Sequence, residues 1–312
     1  MTDLPKGING VTGKEPIAAA LAIGKKGPSG APIERDRFHV LLPERQAAGD
    51  IKGGIRAPHP SFASFNDAPA ERRKIIPARL THATIAECFD WRRQAQQLPV
   101  AGKALSHPRQ RPVCVGNGGE SDGTAWRYDP SAPDFRDPKL PPAWVGYRAI
   151  KCPGDRCPFA KPPDDRHGPA CKPWMRFLAR FDWPRVDGKG LPNVPFKYQS
   201  GSWNTVQAFV GLFASFERSC AALGLDPSTI PLFGLPVLLQ LQERTDASQQ
   251  RRFPVVSISV AGDADIIGWI TAQQARIQGA RALPEYRVAG LLEEHPDDVA
   301  ADADLISAGN IG

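Results

Sequence analysis

The 312-residue chain is 41% apolar and 23% charged, the balance of a globular protein long enough for one large domain or two ordinary ones. Its 32 prolines and 29 glycines predict many loops joining short strands, which excludes a coiled coil, a collagen-like chain and a wholly disordered one. The formal charge is +6. No run of 18 apolar residues occurs, and the short stretch Ile17 to Ile23 is followed by Gly24-Lys25-Lys26-Gly27 instead of a cleavage site, so neither a membrane span nor a secretory leader is expected and the chain reads as cytoplasmic.

The charge is unevenly placed. Glu293, Glu294, Asp297, Asp298, Asp302 and Asp304 follow Gly290 with no Lys or Arg among them, so the first 290 residues carry +12. A basic body suits nucleic acid or an acidic protein partner, although no single segment is a dense basic patch. The acidic stretch reads as a solvated, disordered tail.

Residues 1–33 read as an arm with one short helix over Ile17 to Ile23, and Arg35 to Leu42 as a charged approach into a strand. Residues 46–79 look loop-like, with Phe62 and Phe65 as isolated anchors. Thr81 to Gln97 is expected to form one helix, because Ile85, Cys88 and Phe89 have helical spacing. Arg111 to Val115 reads as a strand entering the Gly116-Asn117-Gly118-Gly119 turn, with Trp126 to Tyr128 returning. Further strands are expected at Trp144 to Lys151 and Trp174 to Phe181.

The clearest helix starts near Ser202 or Asn204, carries Val206, Phe209, Val210, Phe213, Phe216, Cys220 and Leu223 at 3–4 spacing, and stops at Gly224. Two alternating strands follow, Leu235 to Glu243 and Phe253 to Val260, then a helix after Asp263. Regular βαβ alternation is missing. The expected fold is α+β, a mainly antiparallel sheet with inserted helices and a zinc knuckle or ribbon-like insertion. The expected organisation is an arm (1–33), an α+β body (34–280) with a zinc-binding segment at about 112–173, and an acidic tail (281–312).

The strongest chemistry is Cys152-Pro-Gly-Asp-Arg-Cys157 followed by Cys171, a C-x4-C-x13-C arrangement in a Pro/Gly-rich stretch where core packing is a poor explanation for thiols. A turn through Pro153 and Gly154 lets two thiolates converge on one ion, and zinc takes four tetrahedral sulfur or imidazole ligands. Cys114 is preferred as the fourth, at the tip of a tight turn, with 37 residues between it and Cys152; His167, in a polar loop, is the alternative. Four thiolates close the coordination sphere, so the metal is expected to be structural. Cys88 and Cys220, on apolar helix faces, read as buried hydrophobes.

No HExxH, P-loop or nucleophile elbow occurs, and His59, His82 and His107 have no spacing that supports catalysis, so no catalytic residue is expected. Trp91-Arg92-Arg93 and Trp183-Pro184-Arg185 are suited either to stacking bases or to anchoring a protein partner.

Several blocks occur together: Phe38-His39-Val40; His59-Pro60-x-Phe62 ahead of Phe65-Asn66; Cys114 before a glycine turn; Cys152-Pro-Gly-x-x-Cys157-Pro with Cys171-Lys172-Pro173; and Gln199-Ser-Gly-Ser-Trp203-Asn204. In these blocks, over roughly residues 33–262, the chain resembles the recombination directionality factor-like family of phages and prophages, the partners of large serine integrases. The resemblance implies a non-enzymatic regulator that binds the integrase on its attachment-site DNA, with little sequence-specific DNA binding of its own, and favours attL × attR excision over integration. A zinc-stabilised single-stranded-DNA-binding or annealing accessory of phage DNA metabolism is the competing expectation, from the basic body and its aromatic residues.

Overall fold

The computed structural model describes residues 17–27, 32–43, 56–100, 103–106, 111–116, 124–136, 138, 145–152, 156–160, 169–183, 191–246, 251–261 and 265–281. The expected acidic tail (apart from Arg281, the last residue of a helix) and His167 lie outside these residues. The chain divides into two compact units, Met1–Ile266 and Ile267–Gly312.

The first unit is built on an eleven-stranded, mainly antiparallel sheet. In chain order its strands are β1 (Ala19–Lys26), β2 (Pro32–Leu41), β3 (Ile75–Leu80), β4 (Phe89–Ala95), β7 (Cys114–Gly116), β8 (Thr124–Tyr128), β9 (Tyr147–Lys151), β10 (Cys171–Phe181), β11 (Pro195–Ser200), β12 (Pro236–Asp246) and β13 (Arg251–Val260). Strands β5 (Gln97–Val100) and β6 (Lys103–Ser106) form a separate hairpin. The described helices are few: α1 (Ala63–Asn66), α2 (Ile85–Cys88), α3 (Trp203–Ala222) and α4 (Ile266–Arg281). None of them is long and apolar enough to cross a membrane.

Strand β10 organises the sheet. One edge pairs with β11 over Met175–Arg180. The other edge is shared end to end: β4 pairs with Cys171–Phe177, and β3 with Ala179–Phe181. Strands β3 and β4 are thus two parts of one line along β10, interrupted by an excursion that contains α2. From β3 the sheet continues through β12 to β13, from β4 through β7 and β8 to β9, and from β11 through β1 to β2. The β1–β11 pairing is parallel and all the other pairings are antiparallel.

Three expectations are corrected here. The helix over Ile17 to Ile23 is strand β1, because pairing with β2 and β11 outweighs the helical propensity of its alanines; the sheet therefore begins inside the expected arm. Only Ile85–Cys88 of the helix expected at 81–97 is helical. Phe89, Trp91, Arg93 and Ala95 alternate on a strand face, and pairing with β10 decides between the periods of two and 3.6. Part of the loop-like stretch is β3, which pairs with β10 and β12 although it contains Pro77. Pro77 contributes its carbonyl alone, which accepts the Asp182 N–H at 3.0 Å.

Helix α3 follows its sequence pattern. Gly224, at φ +69°, ends it with the Leu225 N–H donating to the Cys220 carbonyl at 2.9 Å and its own N–H to Ala221 at 3.0 Å. Val206, Phe209, Leu212, Phe213, Phe216 and Cys220 are buried. Phe209 meets the rings of Phe177 (4.9 Å), Phe89 (5.8 Å) and Tyr198 (6.1 Å), and Phe213 stacks on Phe89 at 5.2 Å. Buried Thr205 anchors the helix to β13 by accepting the Val256 N–H at 3.2 Å. Beyond the helix the aromatic core runs on through Phe196, Phe181 and Phe62, with centroids 4.3 and 5.0 Å apart.

Phe209→Ala is expected to lower unfolding stability by about 3–5 kcal/mol, because it removes the ring on which three others pack. Leu223→Ala, at the 42% exposed end of the same helix, is expected to change it by no more than about 0.5 kcal/mol. Urea unfolding of the two variants checks both values.

Candidate functional site

The antiparallel register brings Cys114 and Cys171 to one place. Both stand directly opposite Ala95, one on either side of β4, so the three side chains share a face. Ala95 is fully buried, and its methyl group keeps the floor between the two thiols low. Cys152 follows the last residue of β9. Its Sγ lies 3.6 Å from the position a Cβ on Gly116 would take. Cys157 accepts the Ala160 N–H at 2.9 Å through its carbonyl, at the start of a short 3-10 turn, Pro158–Ala160. Phe159 of that turn packs on the buried cluster of Ala95, Val113, Tyr128 and Tyr147. Tyr147 fixes the cluster to the strand entry by donating its hydroxyl to the Pro112 carbonyl at 2.5 Å.

All four are free cysteines close enough to influence one another's charge. Burial, and then the neighbouring Cys171 and Cys152, push the Cys114 thiol up to about 12. Burial and Cys157 push Cys171 up to about 11, against the opposing charge of Arg93. The four cysteines therefore lie within electrostatic range of one another at one end of the sheet. Among the described residues, however, no group of three or more His, Cys, Asp or Glu has the geometry to hold a metal ion. The other two cysteines are buried, as expected from their apolar surroundings, and burial pushes Cys88 up to about 12.

Arg93 joins this end of the sheet to the start of α3. It is 8% exposed, and its guanidinium lies 4.7 Å from the Trp203 ring. Trp91, on the same face, meets Trp203 edge-on at 6.2 Å. The Trp91-Arg92-Arg93 run therefore splits: Trp91 and Arg93 turn toward α3, while Arg92 lies on the opposite face.

A second constellation was not singled out by sequence reasoning. At the β1–β2 bulge Gly24 has φ +66° and Glu34 φ +52°. A Cβ at Gly24 would meet the Ile33 carbonyl at 2.5 Å, so only glycine fits there. The left-handed backbone at Glu34 aims its carboxylate at Lys25 Nζ (2.7 Å), at His39 Nε2 (3.2 Å) and toward buried Arg73 (3.9 Å). Arg73 Nη1 approaches His39 Nδ1 at 3.5 Å, which leaves Nε2 facing the carboxylate. The Lys25 contact holds Glu34 below the usual carboxylate range. Sequence spacing carried no signal for this group, because the bulge alone brings Glu34 and His39 together.

Val40, next to His39, is held by two separate pieces of chain. Its N–H donates to Asn66 Oδ1 at 2.9 Å, and its carbonyl accepts from Asn66 Nδ2 at 2.8 Å and from the His59 N–H at 3.0 Å. The blocks around residues 38–40 and 59–66 thus form one structural unit.

Comparison with protein-family models, with curated proteins and with solved structures gave no match to this chain.

Burial and the Arg73 charge lower the His39 pKa to about 4, with Glu34 opposing and Lys25 and Arg37 adding to the shift. The unfolded chain therefore binds this proton more readily than the folded one, so stability rises with pH from about 4 to the unfolded value of about 6.5. Acidification from neutral pH to about 5 is expected to cost roughly 2 kcal/mol through this residue. Urea midpoints measured across that window check it: His39→Asn should flatten the dependence, and an equally steep profile in the variant would count against it.

Proposed function

We propose that the chain is a recombination directionality factor that binds a large serine integrase and turns it from integration to excision. The observation that carries this reading is the way the resembling blocks meet. Residues 38–40 and 59–66 join at Val40, and the cysteine blocks join the Trp203 helix start through Arg93. Segments far apart in sequence thereby support two local assemblies, as expected if they are retained to shape a surface. The factor does no chemistry of its own. It acts by binding one synaptic arrangement of integrase and attachment-site DNA more tightly than the other. A preference of about 5.5 kcal/mol moves a two-state balance from 1:99 to 99:1, so a few well-placed contacts are enough. The proposed setting is the cytoplasm.

Zinc is proposed as a structural cofactor held by Cys114, Cys152, Cys157 and Cys171, with His167 as the alternative fourth ligand. The donor chemistry fits. Four sulfurs suit a borderline-soft ion, and a divalent charge among buried thiols favours the thiolates that burial otherwise disfavours. Elemental analysis is expected to find one zinc per chain. Cys152→Ser or Cys171→Ser is expected to unfold this end of the sheet and abolish partner binding; metal-free protein with unchanged thermal stability would remove the cofactor from the reading.

The function is tested by pull-down with the serine integrase encoded nearby, followed by attL × attR recombination. The expected result is capture together with stimulated excision and suppressed attP × attB joining. Capture without any change in direction would refute the reading. The second reading, a single-stranded-DNA accessory, draws on a different feature, the basic body and its aromatic residues.

A further inference from the structure

We infer that the face of β4 and β10 opposite α3 binds single-stranded nucleic acid, with Trp174 stacking a base and Lys172 and Arg176 taking the flanking phosphates. The surface follows from register. On β10, Cys171, Pro173, Met175, Phe177, Ala179 and Phe181 turn toward the α3 side, and the residues between them turn away. Those residues are Lys172, Trp174, Arg176, Leu178 and Arg180. Trp174 stands opposite Arg92, and the Arg92 guanidinium lies 4.3 Å from its ring, so an indole and a guanidinium plane form one stacked pair on the sheet. Lys172 stands opposite Gln94, and Arg176 opposite Asp90 and Gln199. Asp90 is the acid of this row, and its carboxylate reaches Arg176 only at 4.0 Å with both side chains about 40% exposed. Lys197 of β11 adds positive charge on the neighbouring strand, whereas Arg79 of β3 is paired with Asp182 at 2.8 Å.

Charge alone fits any polyanion; the ring decides among them. Duplex bases are stacked in pairs and offer Trp174 no face, whereas a single strand presents each base to an aromatic or guanidinium plane. The spacing agrees. Side chains on one face of a strand recur every two residues, about 6.8 Å. That is about twice the ~3.4 Å rise per nucleotide of stacked DNA, within reach of an unstacked single strand. An acidic polypeptide would satisfy Lys172 and Arg176 but leave the stacked pair unused. On β10 this surface is the face opposite the one that carries Cys171, and the inference does not rest on the integrase reading.

Fluorescence anisotropy of the full chain with labelled oligothymidylate tests it. The wild type is expected to bind with strong salt dependence. Trp174→Ala is expected to weaken binding about tenfold or more. Lys172→Gln and Arg176→Gln are each expected to lower the slope of log affinity against log salt by about 0.7. Both are surface changes, so they carry the test even if Trp174→Ala fails to fold, which its thermal melt reports. Arg218→Gln, on the exposed side of α3, is the control and should bind as the wild type. Absence of oligothymidylate binding at low salt, or equal binding by the three face variants, would overturn the inference. So would a duplex binding as tightly as the single strand with no effect of Trp174→Ala, or full competition by polyglutamate of matching charge.

Discussion

Strand β10 is hydrogen-bonded along both edges, to β11 on one side and to β4 and then β3 on the other. This double pairing fixes its register, and register fixes everything the strand presents. A slip of one residue would exchange its two faces, moving Phe177 and Phe181 into water and Lys172, Arg176 and Arg180 under α3. Four fully buried residues (Met175, Phe177, Ala179 and, at 1% exposure, Phe181) oppose that slip with most of the aromatic core behind them. The same constraint carries the chemistry, because Cys171 is the first residue of the buried-side row and Trp174 belongs to the other.

The sequence was most legible where structure is local. Helix α3, its glycine stop, the β7–β8 hairpin and the alternating strands β12 and β13 each announce themselves within a short window of chain. Strand β4 did not. Its Ile85, Cys88 and Phe89 satisfy a helical period while Phe89, Trp91, Arg93 and Ala95 satisfy a period of two, and only the distant β10 decides. Strand β1 is the same case with weaker side chains, since three alanines and a leucine carry no preference strong enough to resist its neighbours. Spacing singled out Cys152, Cys157 and Cys171 and left the choice between Cys114 and His167 to their local settings; the low floor at Ala95 was not legible, because Ala95 belongs to the segment read as helix. The stacked pair of Arg92 and Trp174 was unreadable for the same reason: one partner had been placed on the wrong kind of element.

Among the described residues two arginines are nearly buried, Arg73 and Arg93, and each sits where separate parts of the chain are joined. A buried cation is expensive to desolvate, so its surroundings must compensate. Arg73 finds Glu34 and the neutral imidazole of His39. Arg93 finds the π-face of Trp203. Hydrophobic residues of like volume hold elements together as firmly, but they tolerate repacking. Directional partners such as a bulge carboxylate or an indole face do not, so these joints favour one arrangement of the 56–74 segment and one of the α3 start.

The thiol end of the sheet has an electrostatic consequence of its own. Cys114 and Cys171 are displaced upward by burial and by the other thiols together, so forming one thiolate makes the next harder to form. Cys114 and Cys171 pack, with Phe159, against the buried cluster that contains Tyr128 and Tyr147. A thiophilic divalent ion reverses the balance, because each thiolate it binds lowers the repulsion felt by the others. The strands that deliver Cys114 and Cys171 are already paired through Ala95, whereas Cys152 and Cys157 lie outside strands, one just past β9 and the other just before a single 3-10 turn. A metal held here would tie Cys152 and Cys157, which lie outside the strands, to strands that are already paired.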